Sequence, residues 1–157
     1  MGVSSNADVT FGIKFEEDFE FPWDDESKED YEIEDWWRDV NGFKHSVEIY
    51  DERGEYINDK EPPQEVQDKY YDEQREFDEA NPLPLSLENY CSYDYPMYIL
   101  CIPALGTGAN RGYPNSFEPK DLIGKEDEHS KILIDFCNKY EIEMPDKPRW
   151  WCSSFMG

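Results

Sequence analysis

Apolar and polar residues alternate most cleanly over Asp8–Phe15, with Val9, Phe11, Ile13 and Phe15 on one face and Asp8, Thr10, Gly12 and Lys14 on the other. A period of two predicts a half-buried strand. The alternation continues weakly through Phe19 and Phe21 until Pro22 stops it. Glu29–Val40 changes to a helical period, with Ile33, Trp36, Trp37 and Val40 on one face and Asn41-Gly42 as the C-cap. Val47–Tyr50 and Glu55–Ile57 flank Asp51-Glu52-Arg53-Gly54 as a hairpin. Pro62-Pro63 opens a second helix that runs to about Ala80, with a thin apolar stripe of Val66, Tyr70, Phe77 and Ala80. Ser86–Tyr90 reads as a short strand. Met97–Ile102 is an unbroken apolar run, the mark of a central strand buried on both faces. Residues 103–119 read as a loop rich in Gly and Pro. Asp127–Tyr140 reads as a third helix packing Leu133, Phe136, Cys137 and Tyr140, and Arg149–Phe155 as a terminal strand. The pattern predicts one α+β domain over residues 1–157: a mixed, mainly antiparallel sheet of about five strands packed with three helices. No internal repeat and no long linker divides it.

Charge changes this ordinary picture. The 157 residues carry 38 Asp and Glu against 15 Lys and Arg, a net charge of −23. With 38% hydrophobic residues and abundant Phe, Tyr and Trp, the chain is not a disordered acidic tail. Residues 1–80 hold 27 acids and 8 bases, net −19, whereas residues 81–157 hold 11 and 7, net −4. The densest stretch is Glu16–Asp39, where 13 of 24 residues are carboxylates and six aromatics sit among them. Such a density repels itself and weakens the compact state, so solvent conditions or a partner must account for it. Nucleic acid and anionic membrane are repelled by this field; a basic protein surface is attracted. A halophilic or merely solubilising surface is the plainer explanation. Ten lysines against five arginines, and the many large aromatics, count against it.

The sequence offers little to familiar chemistry. Gly106-Thr107-Gly108-Ala109-Asn110-Arg111-Gly112 places its third glycine one residue late for a dinucleotide fingerprint, and Tyr113-Pro114-Asn115 does not open a long helix. An EF-hand begun at Asp24 lacks the glycine of position six, which is Glu29. Cys91, Cys101, Cys137 and Cys152 form no CxxC pair, so reduced, buried thiols are expected rather than a zinc site. His45 beside Ser46 and His129 beside Ser130 do not make a nucleophile and base, because neighbours on a strand face opposite ways. Carboxylate pairs are too common to mark a catalytic dyad. Met1–Asn6 misses the myristoylation signal, no secretory h-region precedes the chain, and no apolar run reaches about 18 residues. We therefore expect a cytoplasmic protein with no cofactor, no metal and no enzymatic activity.

The partner reading fixes on carboxylates held by a rigid fold. Duplex DNA carries a charge every ~1.7 Å of axis, and its binders neutralise phosphates with basic grooves. Helical carboxylates three or four residues apart stand about 5–6 Å apart and could imitate that array. The expected contact residues are Glu16, Glu17, Asp18, Glu20, Asp24, Asp25, Glu26, Glu29, Asp30 and Glu34, with Phe19, Phe21 and Trp23 as apolar anchors. Glu65, Asp68, Asp72, Glu76 and Glu79 form a second row. The implied partner is the basic surface of a nucleic-acid-binding protein, without direct contact to nucleic acid or membrane. The alternative is a small-ligand protein or enzyme with a pocket near residues 103–119, served by Arg111, Tyr113 and Asn115. A scaffolding role toward basic proteins would use the same acidic face.

The opening SSNADVTFGIKFEEDFEFPWDD, the middle RGYPNSFEP and the ending WWCSSFMG resemble small acidic accessory proteins of tailed bacteriophages. The resemblance implies a product made in the infected bacterial cytoplasm, where acidic accessory proteins target host nucleic-acid enzymes or nuclease defences. It carries over no functional residue.

Overall fold

The computed structural model describes residues 5–24, 31–43, 63–92, 94 and 96–156. The chain, expected as one domain over 1–157, gathers its contacts in two compact units, residues 1–21 with 84–157 and residues 22–83.

The first unit is built on strands β1 (Ser5–Phe15), β2 (Ser86–Ser92), β3 (Pro96–Asn110) and β4 (Arg149–Met156), closed into a barrel in the order β1-β3-β2-β4. β1 pairs antiparallel with β3 and β4, and β2 pairs antiparallel with β3. β2 and β4 meet in parallel at Cys91–Phe155 and Ser92–Met156, which makes the sheet mixed but mainly antiparallel. The β1–β3 register jumps from Thr10–Gly106 to Gly12–Cys101, an irregularity in the pairing of two continuous strands. Helix α4 (Glu126–Lys139) and the single turn α3 (Pro119–Leu122) complete this unit. The α+β class read from the pattern is the observed one.

Burial explains the elements. Phe11, Ile13 and Phe15 are in the core, as their alternation predicts, but Thr10 on the opposite face is buried as well. Closure of the sheet therefore covers the middle of β1 on both faces. Ile99, Leu100, Cys101 and Ile102 are buried in succession, as a central strand requires. Trp150 and Trp151 divide between the faces of β4. Trp150 Nε1 donates to Glu126 Oε1 on α4 at 3.3 Å, and Trp151 Nε1 donates to the Gly12 carbonyl at 3.0 Å. On α4 the helical period buries His129, Leu133, Phe136 and Cys137, while Glu126, Asp127 and Glu128 suit the positive end of its dipole.

The expected loop over residues 103–119 is corrected in its first half. β3 continues through buried Leu105 to Asn110, so Gly106 and Gly108 are strand residues. The reason is close approach to β1: a Cβ on Gly106 would stand 3.1 Å from the Val9 carbonyl oxygen. At Gly12 the crowding is severe, since a Cβ there would overlap the Leu100 carbonyl oxygen and lie 2.8 Å from Ile99 Cγ2.

The second unit contains α1 (Ile33–Val40) and α2 (Gln64–Ala80). α1 starts later than Glu29, where the Glu32 N–H donates to Asp35 Oδ2 at 3.3 Å. Its buried residues are Ile33 and Trp36 alone; Val40, the last residue of a two-turn helix, lies past that contact and stays 46% exposed. The hairpin expected over Val47–Ile57 lies outside the described residues. No helix among the described residues is long and apolar enough to cross a membrane.

The crowding at Gly12 predicts that Gly12→Ala destabilises the protein by about 2–3 kcal/mol, because backbone and core must move apart. Gly106→Ala, with only the Val9 oxygen to meet, is expected to cost about 1 kcal/mol or less. Urea unfolding of the two variants beside the parent measures both.

Candidate acidic contact surface

In the first unit the expected contact residues form a tight turn after β1. The Phe19 N–H donates to the Glu16 carbonyl at 3.2 Å, and Lys14 Nζ pairs with Glu16 Oε1 at 2.8 Å. Phe19 and Phe21 fold back on Phe15, with ring centroids 4.5 and 4.8 Å away, and Phe21 meets Tyr98 edge-on at 6.0 Å. The period-two alternation thus persists through the acid run: the rings turn inward, and Glu17, Asp18 and Glu20 stand exposed.

This corrects the anchors. Phe21 is 4% exposed and Trp23 is 3% exposed, so neither presents a ring to a partner; Phe19 is half-buried. Trp23 belongs to the second unit and packs on Trp36, centroids 5.3 Å apart. The aromatics brace the acids instead of reaching past them. Asp24 and Glu34 are exposed. Asp25, Glu26, Glu29 and Asp30 lie outside the described residues.

α2 carries the denser array. Seven of its 17 residues are acids, none of its residues is fully buried, and Glu65, Asp68, Asp72, Glu76 and Glu79 are all exposed. Their spacings of three and four put them on one side of the helix. Over the helix length of ~25 Å the five exposed acids of the row average about one per 5 Å, sparser than the ~3.4 Å per charge of a single DNA strand. Asp72 pairs with Arg75 at 2.8 Å and Glu73 with Lys69 at 3.7 Å. Glu65, Asp68, Glu76 and Glu79 have no cation partner among the described residues.

What holds this charge in place is Arg38 on α1. Its Nε and Nη2 donate to the two oxygens of Asp78 on α2, each at 2.9 Å, and Nη1 donates to Asp35 Oδ1 at 2.8 Å. With its amide in the alternative orientation, the Gln74 side-chain oxygen would accept from Nη1, also at 2.8 Å. Burial opposes the guanidinium charge, but the hydrogen bond and charge of Asp78 outweigh it and raise the Arg38 pKa above its ordinary value. Beside the fork, Trp37 Nε1 donates to the Asn81 carbonyl at 2.8 Å, and Phe43 packs on Phe77 at 5.0 Å. The unit of residues 22–83 has 22 acids against 7 bases, net −15, so a bidentate cation between its helices matters more than usual.

Comparison of the chain with family models, curated proteins and solved structures finds no match.

Other expected sites fare differently. Arg111, Tyr113 and Asn115 are exposed, and Asn115 Nδ2 donates to Thr107 Oγ1 at 3.4 Å. A cavity does lie at residues 103–108, but those three side chains do not line it. Of the four thiols expected to be buried, Cys101 and Cys137 are, whereas Cys91 and Cys152 are exposed. Among the described residues no three His, Cys, Asp or Glu side chains gather to hold a metal ion. Arg38 itself was missed by sequence reasoning. Its i,i+3 relation to Asp35 was visible, but the decisive partner Asp78 is 40 residues away.

Arg38→Ala should destabilise the protein by about 1–3 kcal/mol, toward the lower end because water screens the half-exposed Asp35 and Asp78. Arg38→Lys keeps the charge but not the fork, and should recover less than half of that loss in chemical denaturation. Burial pushes the Cys101 and Cys137 thiols up to about 11. At pH 8 only about one in a thousand is a thiolate, so iodoacetamide should label Cys91 and Cys152 quickly and leave the other two until the protein unfolds. Peptide mapping of the labelled protein reads the difference.

Proposed function

We propose that this protein binds and occludes a basic, nucleic-acid-binding protein surface by presenting carboxylates in place of phosphates. The observation that carries the reading is the row on α2: five exposed carboxylates on one side of a helix, about 5 Å of axis per charge. The exposed Glu17, Asp18, Glu20, Asp24 and Glu34 add acidic surface on the two units, and the buried rings of Phe21 and Trp23 keep that surface stiff. Stiffness favours binding because less conformational entropy is lost when the partner docks. Affinity would come from charge and fit, since Phe21 and Trp23 are inside and Phe19 is half-buried. The phage resemblance agrees with a target in a bacterial cell, a host nucleic-acid enzyme or nuclease among them.

A tagged protein should therefore capture nucleic-acid-binding proteins from bacterial lysate and release them when salt is raised. Reversing Glu65, Asp68, Glu76 and Glu79 to Lys should abolish capture while circular dichroism stays unchanged. Reversing Glu17, Asp18 and Glu20 should weaken it less. Full capture by the α2 variant would move the contact surface off that helix.

A further inference from the structure

Antiparallel register sets Lys14 of β1 beside Ile99 of β3, and Tyr90 of β2 beside Met97 of the same strand. With Trp151 and Ser153 of β4, these side chains line an open cavity of about 300 Å³ in the barrel unit. Its charge runs against that of the chain. The protein has 38 acidic residues, yet among the described residues Lys14 is the one charged group on this wall. Arg149 Cζ lies 5.4 Å and Lys14 Nζ 5.9 Å from the centre of the Trp151 ring, so two cations flank one indole. Tyr90 is the telling group. Its Oη is shut off from water and has no hydrogen-bond partner among the described residues. Burial pushes the phenol pKa up and the nearby Lys14 charge pulls the other way; the net rise keeps it a protonated donor at neutral pH. A buried donor normally has an acceptor. Lys14 cannot be one, because an ammonium only donates. Glu16, whose charge also reaches the phenol, bonds Lys14 Nζ at 2.8 Å and not Tyr90.

We infer that this cavity binds a small monocarboxylate with an apolar body, the carboxylate held between the Lys14 ammonium and the Tyr90 hydroxyl. An ammonium has three donors and Glu16 takes one, which leaves two for ligand oxygens. The phenolic hydrogen adds another, and a carboxylate accepts several such bonds at once. Binding requires a small opening at Tyr90 Oη, which the flexible, part-exposed Lys14 side chain supplies. Met97 and Trp151, both half-buried, suit the apolar body. A 150 Å³ apolar cavity takes benzene, so this one has room for about ten to twelve non-hydrogen atoms. A phosphate monoester fits worse, because its second negative charge finds no second cation on the wall and stands near Glu16. An amine would meet the Lys14 charge directly. This site lies in the barrel unit and does not depend on the role of α2.

The test is an NMR titration of the ¹⁵N-labelled protein with 3-phenylpropionate. The uncharged control is 3-phenylpropanol, and 3-phenylpropylammonium reverses the charge. The carboxylate should shift the Lys14, Tyr90, Trp151 and Ser153 amides with saturation, and the alcohol should bind at least about tenfold more weakly. The ammonium should give only shifts spread over the exposed carboxylates. Lys14→Met and Tyr90→Phe should each weaken carboxylate binding about tenfold, and Glu16→Gln should tighten it by freeing the ammonium. Lys131→Met, the same loss of charge on an exposed part of α4, should leave it unchanged. Without ligand, Tyr90→Phe should unfold at the parent's temperature or higher, since it removes a buried hydroxyl with no partner. No saturation at those amides, saturation there by the ammonium, or equal affinity for the alcohol would overturn the assignment. So would unchanged affinity, or a clear loss of ligand-free stability, in Tyr90→Phe.

Discussion

Carboxylate repulsion is the constraint under which the helical unit must hold together, and the Arg38 fork is the interaction that answers it. Residues 22–83 contain 22 acids and only 7 bases. No residue of α2 is fully buried, so apolar packing contributes less to α2 than to an ordinary amphipathic helix. A half-buried guanidinium that bonds both oxygens of Asp78 and one of Asp35 converts two like charges on facing helices into shared ligands of one cation. Among the described residues, Glu65, Asp68, Glu76 and Glu79 on α2 have no cation partner. The bidentate neutralisation lies where the helices meet, and in the exposed row Asp72 alone pairs with a cation, Arg75, among the described residues.

The barrel meets a steric constraint. β1 is hydrogen-bonded along both edges, to β3 and to β4. Its Gly12 allows β3 to come so close that no larger residue fits, while at Gly106 the approach to the Val9 carbonyl is tight and at Gly108 a Cβ would meet the Asp8 carboxylate. The closed sheet covers both faces of β1 at its centre, which is how Thr10 comes to be buried beside a cavity. The glycines are thus part of the architecture and of its cavity, not of a phosphate-binding loop.

Most of the fold could be read from the chain because burial there follows simple periods. Phe11, Ile13 and Phe15, the run Ile99–Ile102, and Leu133, Phe136 and Cys137 are all in the core as their spacing implies. The misreadings have physical causes. Gly106 and Gly108 have loop composition but strand geometry, because a sheet strand at close approach needs glycine as much as a turn does. Phe19, Phe21 and Trp23 looked exposed because acids surround them, yet Phe15, Phe19 and Phe21 form one ring cluster. The α2 row was legible from spacing alone. The Arg38–Asp78 pair and the Lys14–Tyr90 cavity were not, since each joins residues distant in sequence whose meeting depends on helix packing or strand register.

The central claim is that carboxylates of this protein stand in for nucleic-acid phosphates on a basic partner. Its most direct test is a competition measurement: affinity for a captured partner, followed from about 50 to 200 mM salt, with and without saturating duplex DNA. The account predicts that affinity falls at least about tenfold over that range and that DNA and this protein exclude one another from the partner. Binding that ignores salt, or a ternary complex containing both, would contradict it.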